Sequence, residues 1–167
     1  MSIGIFYGSS GGMTEDVAER IGKALDLESE LHDISETDMN KFDDYSKVII
    51  GTSTWGSGDL QDDWDDEFSE FEKVDFSGKT VAFFGLGDQE GYGDNFLDAM
   101  GTLHDVAVAS GATIIGDGWP TEGYDFEEST AIKDGAFVGL GIDEDNQDDL
   151  TDERIEKWVA DIKASLS

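Results

Sequence analysis

Residues 3–14 read IGIFYGSSGGMT, an apolar run that passes directly into a turn of glycine and hydroxyl residues. The run Ile3–Tyr7 is typical of a buried strand, and after the turn Val17, Ile21 and Leu25 recur at helical spacing. The turn therefore joins a strand to the N-terminus of a helix. Glycines let backbone N–H groups converge there, and the hydroxyls and the helix dipole favour a negative charge. We predict a phosphate site, although a turn without a ligand can have the same composition.

The turn differs from two well-known phosphate motifs. No Lys-Ser or Lys-Thr pair follows Gly12, as it would in a nucleoside-triphosphate loop, and the Gly-x-Gly-x-x-Gly spacing of dinucleotide sites is absent. The turn therefore suits a single terminal phosphate.

Strands and helices alternate along the rest of the chain. Further apolar runs predict strands at Val48–Gly51, Thr80–Phe84, Thr113–Ile115 and Phe137–Ile142, with a weaker candidate at Leu31–Ile34. Residues 155–166 have the spacing of an amphipathic helix, and we expect Thr151 to cap it. Such alternation indicates an α/β fold, a parallel sheet covered on both faces by helices. Ligands of such sheets bind beyond the carboxyl ends of the strands.

Two of the loops after strands carry an aromatic residue among glycines. Residues 52–60 read TSTWGSGDL and contain Trp55, and residues 84–96 read FGLGDQEGYGDNF and contain Tyr92. Parallel strands bring both loops to one edge of the sheet, where the two rings could stack on a flat ligand. Alternatively, Trp55 covers the sheet edge. With the phosphate turn, the loops predict a mononucleotide that has a broad planar ring.

A polar stretch, residues 117–135, contains the only proline and is interpreted as an inserted loop. We expect its aromatic residues, Trp119, Tyr124 and Phe126, to anchor it to the protein body rather than to contact a ligand.

Composition excludes several functions. Forty acidic against ten basic residues give a net charge of −30, which repels nucleic acid and favours a partner with a basic face. The charge could equally serve solubility or adaptation to salt. Without cysteine, thiol chemistry and iron–sulfur ligation are excluded, so electron transfer would need a cofactor. The sequence has no signal-peptide pattern and no apolar run near the ~20 residues of a membrane span, so we expect a cytoplasmic protein without membrane insertion.

Several longer motifs carry a family resemblance. They are GLGDQ-x-GY at 85–92, T-x-GYDF at 121–126, FVGL-x-x-DEDNQ at 137–147 and LTDERI at 150–155. Through them the chain resembles long-chain flavodoxins over nearly its whole length. The resemblance implies a single domain over residues 1–167, a three-layer sandwich with a five-stranded parallel sheet of order 2-1-3-4-5. The fifth strand would be interrupted by the long-chain insertion.

The resemblance also implies bound FMN and a set of residues that hold it. Two of these positions depart from the family pattern, because Gly11 lacks a hydroxyl and Ser53 replaces a proline before Thr54-Trp55. The expected cofactor-binding residues are Ser9, Ser10, Gly11, Gly12, Met13, Thr14, Ser53, Thr54, Trp55, Gly56, Ser57, Gly58, Leu86, Gly87, Asp88, Tyr92, Asn95 and Asp145.

The implied function is low-potential one-electron transfer through the semiquinone/hydroquinone couple of FMN, by a monomeric carrier that is not an enzyme. Gly56 would allow the peptide reorientation that flavodoxins use beside the ring. Expected partners are redox proteins with basic docking faces, for example ferredoxin/flavodoxin-NADP reductase. Asp59 to Glu72 would form the docking face, and Asp143, Glu144 and Asp145 a second acidic wall.

Three other kinds of protein share parts of this pattern. A receiver-type signalling domain needs an aspartate where the chain has Gly51-Thr52-Ser53, and a calcium loop needs a glycine where it has Asp148. An FMN-dependent quinone reductase is the alternative that stays open, although His32 and His104 indicate no catalytic cluster.

Overall fold

A computed structural model describes residues 3–9, 11–55 and 58–166. These residues form strands and four α-helices, with short 3-10 helices at Ile34–Glu36, Met39–Asp44, Gly93–Asn95 and Asp148–Leu150. The strands are β1 (Ile3–Tyr7), β2 (Ser29–Asp33), β3 (Lys47–Trp55), β4 (Asp59–Leu60), β5 (Thr80–Leu86), β6 (Thr113–Ile115), β7 (Ile132–Lys133), β8 (Ala136–Phe137) and β9 (Leu140–Ile142). The helices are α1 (Met13–Leu25), α2 (Asp62–Phe71), α3 (Asp98–Ala109) and α4 (Thr151–Leu166).

The main sheet is parallel and has the order β2-β1-β3-β5-β6. Strand β9 continues the line of β6, because β6 pairs with Thr80–Ala82 and β9 pairs with Phe84–Leu86 of the same strand, β5. These two segments are the halves of an interrupted fifth strand, so the predicted order 2-1-3-4-5 is confirmed. The short β4 turns back on the end of β3 and pairs with it in the antiparallel sense.

Helices cover both faces of the sheet. From β1 the chain crosses to β2 through α1, and from β3 it crosses the opposite way to β5 through α2. Right-handed crossovers in opposite directions place these helices on opposite faces. Helix α4 packs on α1, and α3 packs on β3 and β5. None of the helices in the described ranges has the length and hydropathy that a membrane crossing requires.

Apolar periodicity accounts for this packing. The predicted helical residues Val17, Ile21 and Leu25 are fully buried, and every residue of β1 is buried. Strands β3 and β5 extend past the predicted ends at Gly51 and Phe84. Their ladder continues through Thr52 and Gly85 to Ser53 and Leu86, because polar and small residues can still pair their backbones.

The insertion contains structure that the sequence analysis missed. Strands β7 and β8 form a hairpin around Asp134 and Gly135, which both have positive φ (54° and 82°), as type I′ turns require. The predicted strand Phe137–Ile142 is therefore wrong at its start. Phe137 belongs to the hairpin, and only Leu140–Ile142 joins the main sheet. Gly139 lies between them and passes so close to β5 that a Cβ there would stand 2.1 Å from the Phe83 carbonyl oxygen.

Aromatic residues anchor the insertion, as predicted. The Trp119 indole N–H donates to the Tyr124 hydroxyl (2.8 Å), which donates to the Gly141 carbonyl (2.6 Å). The Phe126 ring stacks on Phe96 with centroids 5.3 Å apart. One further prediction is wrong: Thr151 is the first residue of α4, and its hydroxyl donates to the Glu144 carboxylate (2.8 Å) instead of capping the helix.

Candidate functional site

The carboxyl ends of β1, β3, β5 and β9 meet at one edge of the sheet, and the segments that follow them surround a cavity. Eleven of the residues that line it were predicted, and the twelfth, Glu144, was placed only in the acidic wall. The lining residues are Ser9, Gly11, Met13, Thr14, Ser53, Thr54, Leu86, Gly87, Asp88, Tyr92, Glu144 and Asp145.

The turn before α1 leaves the helix N-terminus open. Gly12 has a left-handed conformation (φ 89°), and its N–H donates to the Ser9 hydroxyl (3.0 Å). No described side chain caps α1, and a Cβ added at Gly11 or Gly12 would meet no atom within 4 Å. Uncapped amides beside open space are the geometry that binds an anion. The predicted Ser10 lies outside the described residues.

The loop after β5 is shaped by the carboxylate of Asp88. It accepts hydrogen bonds from the N–H groups of Gly91 (2.7 Å) and Glu90 (3.1 Å) and from the Asn146 amide (2.8 Å). The bonds from Gly91 and then Asn146 lower the pKa of Asp88 most. Tyr92, with half of its surface exposed, follows this loop at the rim of the cavity.

A second carboxylate, Asp143, joins three segments at this edge. It is fully buried and accepts hydrogen bonds from the backbone N–H and side-chain amide of Gln89 (3.1 and 2.6 Å). The N–H groups of Asp145 and Asn146 and the Asn146 amide also donate to it. The Gln89 side chain in turn accepts from the N–H of Asp125 in the insertion. Asp143 is therefore not part of an acidic surface wall, and that prediction is wrong.

Asp145 and Glu144 have different surroundings in the same turn. Asp145 is largely exposed, but partial burial of its carboxyl group raises its pKa. The negative charges of Asp88 and Asp143 make smaller contributions in the same direction. Glu144 is half-buried and accepts the Thr151 hydroxyl.

The remaining predicted residues are not all at the cavity. Gly12 does not line it, and Asn95 lines a neighbouring cleft with Tyr92. Gly58 has a positive φ of 93°, and a Cβ there would stand 2.8 Å from the Asp98 carboxylate. The Thr54 hydroxyl accepts the N–H of Ala99 (3.0 Å), so it holds the β3 end to α3. Gly56, Ser57 and the side chain of Trp55 lie outside the described residues.

Comparison with known proteins agrees with this architecture. A sequence profile of the family described as Flavodoxin matches residues 5–158. A flavodoxin of Trichodesmium erythraeum is 52% identical over 167 residues, and one of Synechocystis sp. is 49% identical over 166 residues. Each alignment covers 98% of this chain and 97% of the relative.

A solved structure extends the likeness to three dimensions. The flavodoxin of Fusobacterium nucleatum, crystallised with flavin mononucleotide, superposes with a TM-score of 0.92 at 31% identity and covers 98% of each chain. The profile match and the identities show that this chain belongs to the flavodoxin family.

Proposed function

We propose that the cavity at the carboxyl edge of the sheet binds FMN, with the phosphate at the N-terminus of α1 and the ring near Tyr92. The observation that carries this proposal is the uncapped helix start beside Gly11 and Gly12, where open space meets backbone donors. The donor set fits a single phosphate, because Ser9 and Thr14 supply hydroxyls at the cavity.

The protein is an electron carrier, and FMN would supply the redox chemistry that a chain without cysteine lacks. The protein's own residues bind and orient the cofactor. In the proposal, Ser9, Gly11 and Thr14 hold the phosphate, Leu86 and Gly87 approach the ring, and Tyr92 covers one of its faces. Trp55 is proposed to cover the other face, with Gly56, Ser57 and Gly58 completing its loop.

The acidic surroundings support the low-potential part of the proposal. Asp88, Glu144 and Asp145 all line the cavity, and each unit of negative charge there opposes a further one on the cofactor. Partial burial raises the pKa of Asp145, and the negative charges of Asp88 and Asp143 raise it further, so negative charge at this edge is already disfavoured in the protein alone.

Redox proteins are the partners that flavodoxin function implies. We propose that these partners present basic docking faces, because the net charge of −30 steers cations toward this chain. Monomeric state and cytoplasmic location remain predictions.

Titration of the apoprotein with FMN and with riboflavin tests the cofactor proposal. FMN is expected to bind with one-to-one stoichiometry and to lose its fluorescence. Riboflavin, which lacks the phosphate, should bind at least about 100-fold more weakly, since charge-assisted hydrogen bonds contribute several kcal/mol together. Equal affinities would contradict a phosphate site at α1.

Rapid mixing with a reduced nicotinamide nucleotide separates a carrier from a quinone reductase. The FMN-loaded protein should stay oxidised when mixed with the nucleotide alone, and should be reduced when a flavodoxin reductase is added. Direct reduction by the nucleotide would favour the quinone reductase.

A further inference from the structure

The charged groups in the lining of the candidate FMN cavity are all negative. Asp88, Glu144 and Asp145 each contribute a carboxylate, and no lysine, arginine or histidine is among the described residues that line it. The turn at residues 8–14 also lacks a basic residue. The N-terminus of α1 favours an anion, but a phosphate dianion there would be repelled by these carboxylates. A cation beside the lining would reduce that repulsion.

Arg20 of α1 is a cation that reaches this lining. Its Nη1 lies 3.6 Å from the Glu144 carboxylate and 3.4 Å from the Asp152 carboxylate, and its Nη2 lies 2.8 Å from the Asp16 carboxylate. Among the ion pairs within the described ranges, only the pair with Glu144 includes a carboxylate of the cavity lining. Arg20 therefore joins the helix that begins at the phosphate turn to a wall of the cavity.

The pair with Glu144 differs from the other two in its exposure to solvent. The side chain of Glu144 is 10% exposed, whereas those of Asp16 and Asp152 are 50% and 82% exposed. Water and salt screen the two exposed pairs, which contribute little by themselves. The nearly buried carboxylate is screened less and needs polar partners. Arg20 lies beside its Oε1, and the Thr151 hydroxyl donates to its Oε2 (2.8 Å).

From these contacts we propose that Arg20 is a positioning residue for FMN binding and acts through Glu144. It neutralises the Glu144 carboxylate and, together with Thr151, holds it between α1 and α4. Without Arg20 the carboxylate keeps only the Thr151 hydroxyl and can turn into the cavity, where its full charge repels the phosphate. The inference rests on the proposed phosphate site at the start of α1, and it explains how a cavity lined by three carboxylates accepts an anion.

The proposed role affects one part of the cofactor only. The charge of Glu144 repels the phosphate, whereas riboflavin has the same ring and ribityl chain without a charged group. The affinity for riboflavin should therefore not depend on Arg20. A purely structural role would weaken both ligands, because α1 and α4 pack together beside the cavity. The ratio of the two affinities separates these roles.

Fluorescence titration of the apoprotein with FMN and with riboflavin, at pH 8 and low salt, tests the proposal. Arg20→Gln should weaken FMN binding about fourfold, the effect of one charge on a dianion about 10 Å away in water, and should leave riboflavin binding unchanged. Lys23→Gln removes an exposed lysine from the same helix and should change neither affinity. Equal losses of FMN affinity in the two variants, or equal losses for both ligands in Arg20→Gln, would overturn the proposal.

The same titrations in a Glu144→Gln background separate positioning from a direct effect of the Arg20 charge. Once the carboxylate is gone, Arg20→Gln should change FMN affinity less than about twofold. A loss of the same size in both backgrounds would show direct attraction between Arg20 and the phosphate and refute the role of Glu144. Failure of the phosphate site itself has a different result, because the unaltered protein would then bind FMN and riboflavin equally. Failure of this inference alone would leave a strong preference for FMN that Arg20→Gln does not reduce.

Discussion

Gly11 is the position in the predicted phosphate turn where the resemblance to long-chain flavodoxins implies a hydroxyl residue and this chain has none. The position is exposed, its φ is not in the left-handed region, and a Cβ there would meet open space. A larger residue therefore fits without strain. The adjacent Gly12, with a φ of 89°, does not offer this freedom.

Replacing Gly11 with threonine should restore a hydroxyl donor and tighten FMN binding about two- to tenfold, the value of one additional hydrogen bond. Gly11→Val has nearly the same shape without the hydroxyl and is the control. Fluorescence titration of each apoprotein with FMN measures the effect. A gain that is equal in the valine variant would attribute it to backbone stiffening rather than to the hydroxyl.

Two carboxylates at the cavity have pKa values shifted in opposite directions, and this gives a pH-dependent prediction. The pKa of Asp145 is raised on folding, so its contribution to stability is present at low pH and is lost as pH rises through the folded value. Asp145→Asn should therefore raise the melting temperature of the apoprotein at pH 7 and have no effect near pH 3.

The matched variant Asp88→Asn should have the opposite effect. The pKa of Asp88 is lowered on folding, so its stabilisation is present at neutral pH and is lost as pH falls through the folded value. Thermal unfolding of both variants between pH 3 and pH 8 checks the pair. If the two melting temperatures changed in the same direction at pH 7, the electrostatic assignment would be wrong.

At the scale of elements, the Tyr124 hydroxyl is one of the contacts that hold the insertion to the sheet. Tyr124 accepts from the Trp119 indole and donates to Gly141, which lies on β9. Tyr124→Phe removes the hydroxyl that accepts from the Trp119 indole N–H and donates to the Gly141 carbonyl. Both groups are buried, since Trp119 is 6% exposed and Gly141 is buried as well. The free energy of unfolding should fall by about 1–3 kcal/mol.

Urea unfolding of the apoprotein measures this loss, and hydrogen exchange locates it. The amides of Gly118 and Trp119, which donate to the Phe137 carbonyl, should exchange faster. Tyr92→Phe is the control, because its hydroxyl has no hydrogen bond within the described part of the chain. A similar destabilisation in both variants would contradict an anchoring role for the Tyr124 hydroxyl.

The elements also show what the sequence could and could not predict. Strands with continuous apolar runs, such as Ile3–Tyr7 and Thr113–Ile115, were predicted with the bounds they have in the structure. The hairpin of the insertion was missed because its two strands have two residues each and no alternating pattern.

Local sequence patterns do not predict polar contacts between residues that are far apart in the chain. The hydrogen bond between Gln89 and Asp143 joins residues 54 positions apart, so the sequence marked Asp143 only as one of several acids. The cavity lining was predicted more successfully, because the topology of a parallel sheet fixes which loops meet.

At the scale of the whole molecule, the negative charge is spread over both ends of the sheet. Asp88, Glu144 and Asp145 lie at the carboxyl edge. Exposed Asp38 and Asp43 lie in the connection that leads into the amino end of β3. Repulsion between such charges opposes the compact state, and salt screens it.

Raising NaCl from about 0.05 M to 1 M, where the screening length falls from more than 10 Å to about 3 Å, should therefore stabilise the apoprotein. The midpoint of urea unfolding is expected to increase, and sucrose at matched osmolality serves as the control for general exclusion effects. Asp43→Lys reduces the repulsion directly and should make the midpoint less sensitive to salt. A midpoint that does not change with NaCl would contradict charge repulsion as a significant cost.

Docking depends on where a charge lies, whereas bulk repulsion does not, and this difference separates the two roles that the sequence left open. Asp59 lies on β4 and pairs with Trp55, the last residue of β3, beside the proposed ring site. Asp43 lies at the other end of the sheet. Reversing one charge about 10 Å from a partner cation changes the interaction by ~0.8 kcal/mol in water, about fourfold in association rate.

Asp59→Lys should slow reduction by a basic flavodoxin reductase about fourfold at low salt, and Asp43→Lys should leave the rate nearly unchanged. Stopped-flow reduction from 0.02 to 0.5 M NaCl measures both, and the Asp59→Lys effect should fade as salt rises. Equal rates in the two variants would assign the acidity to the surface as a whole and not to a docking face.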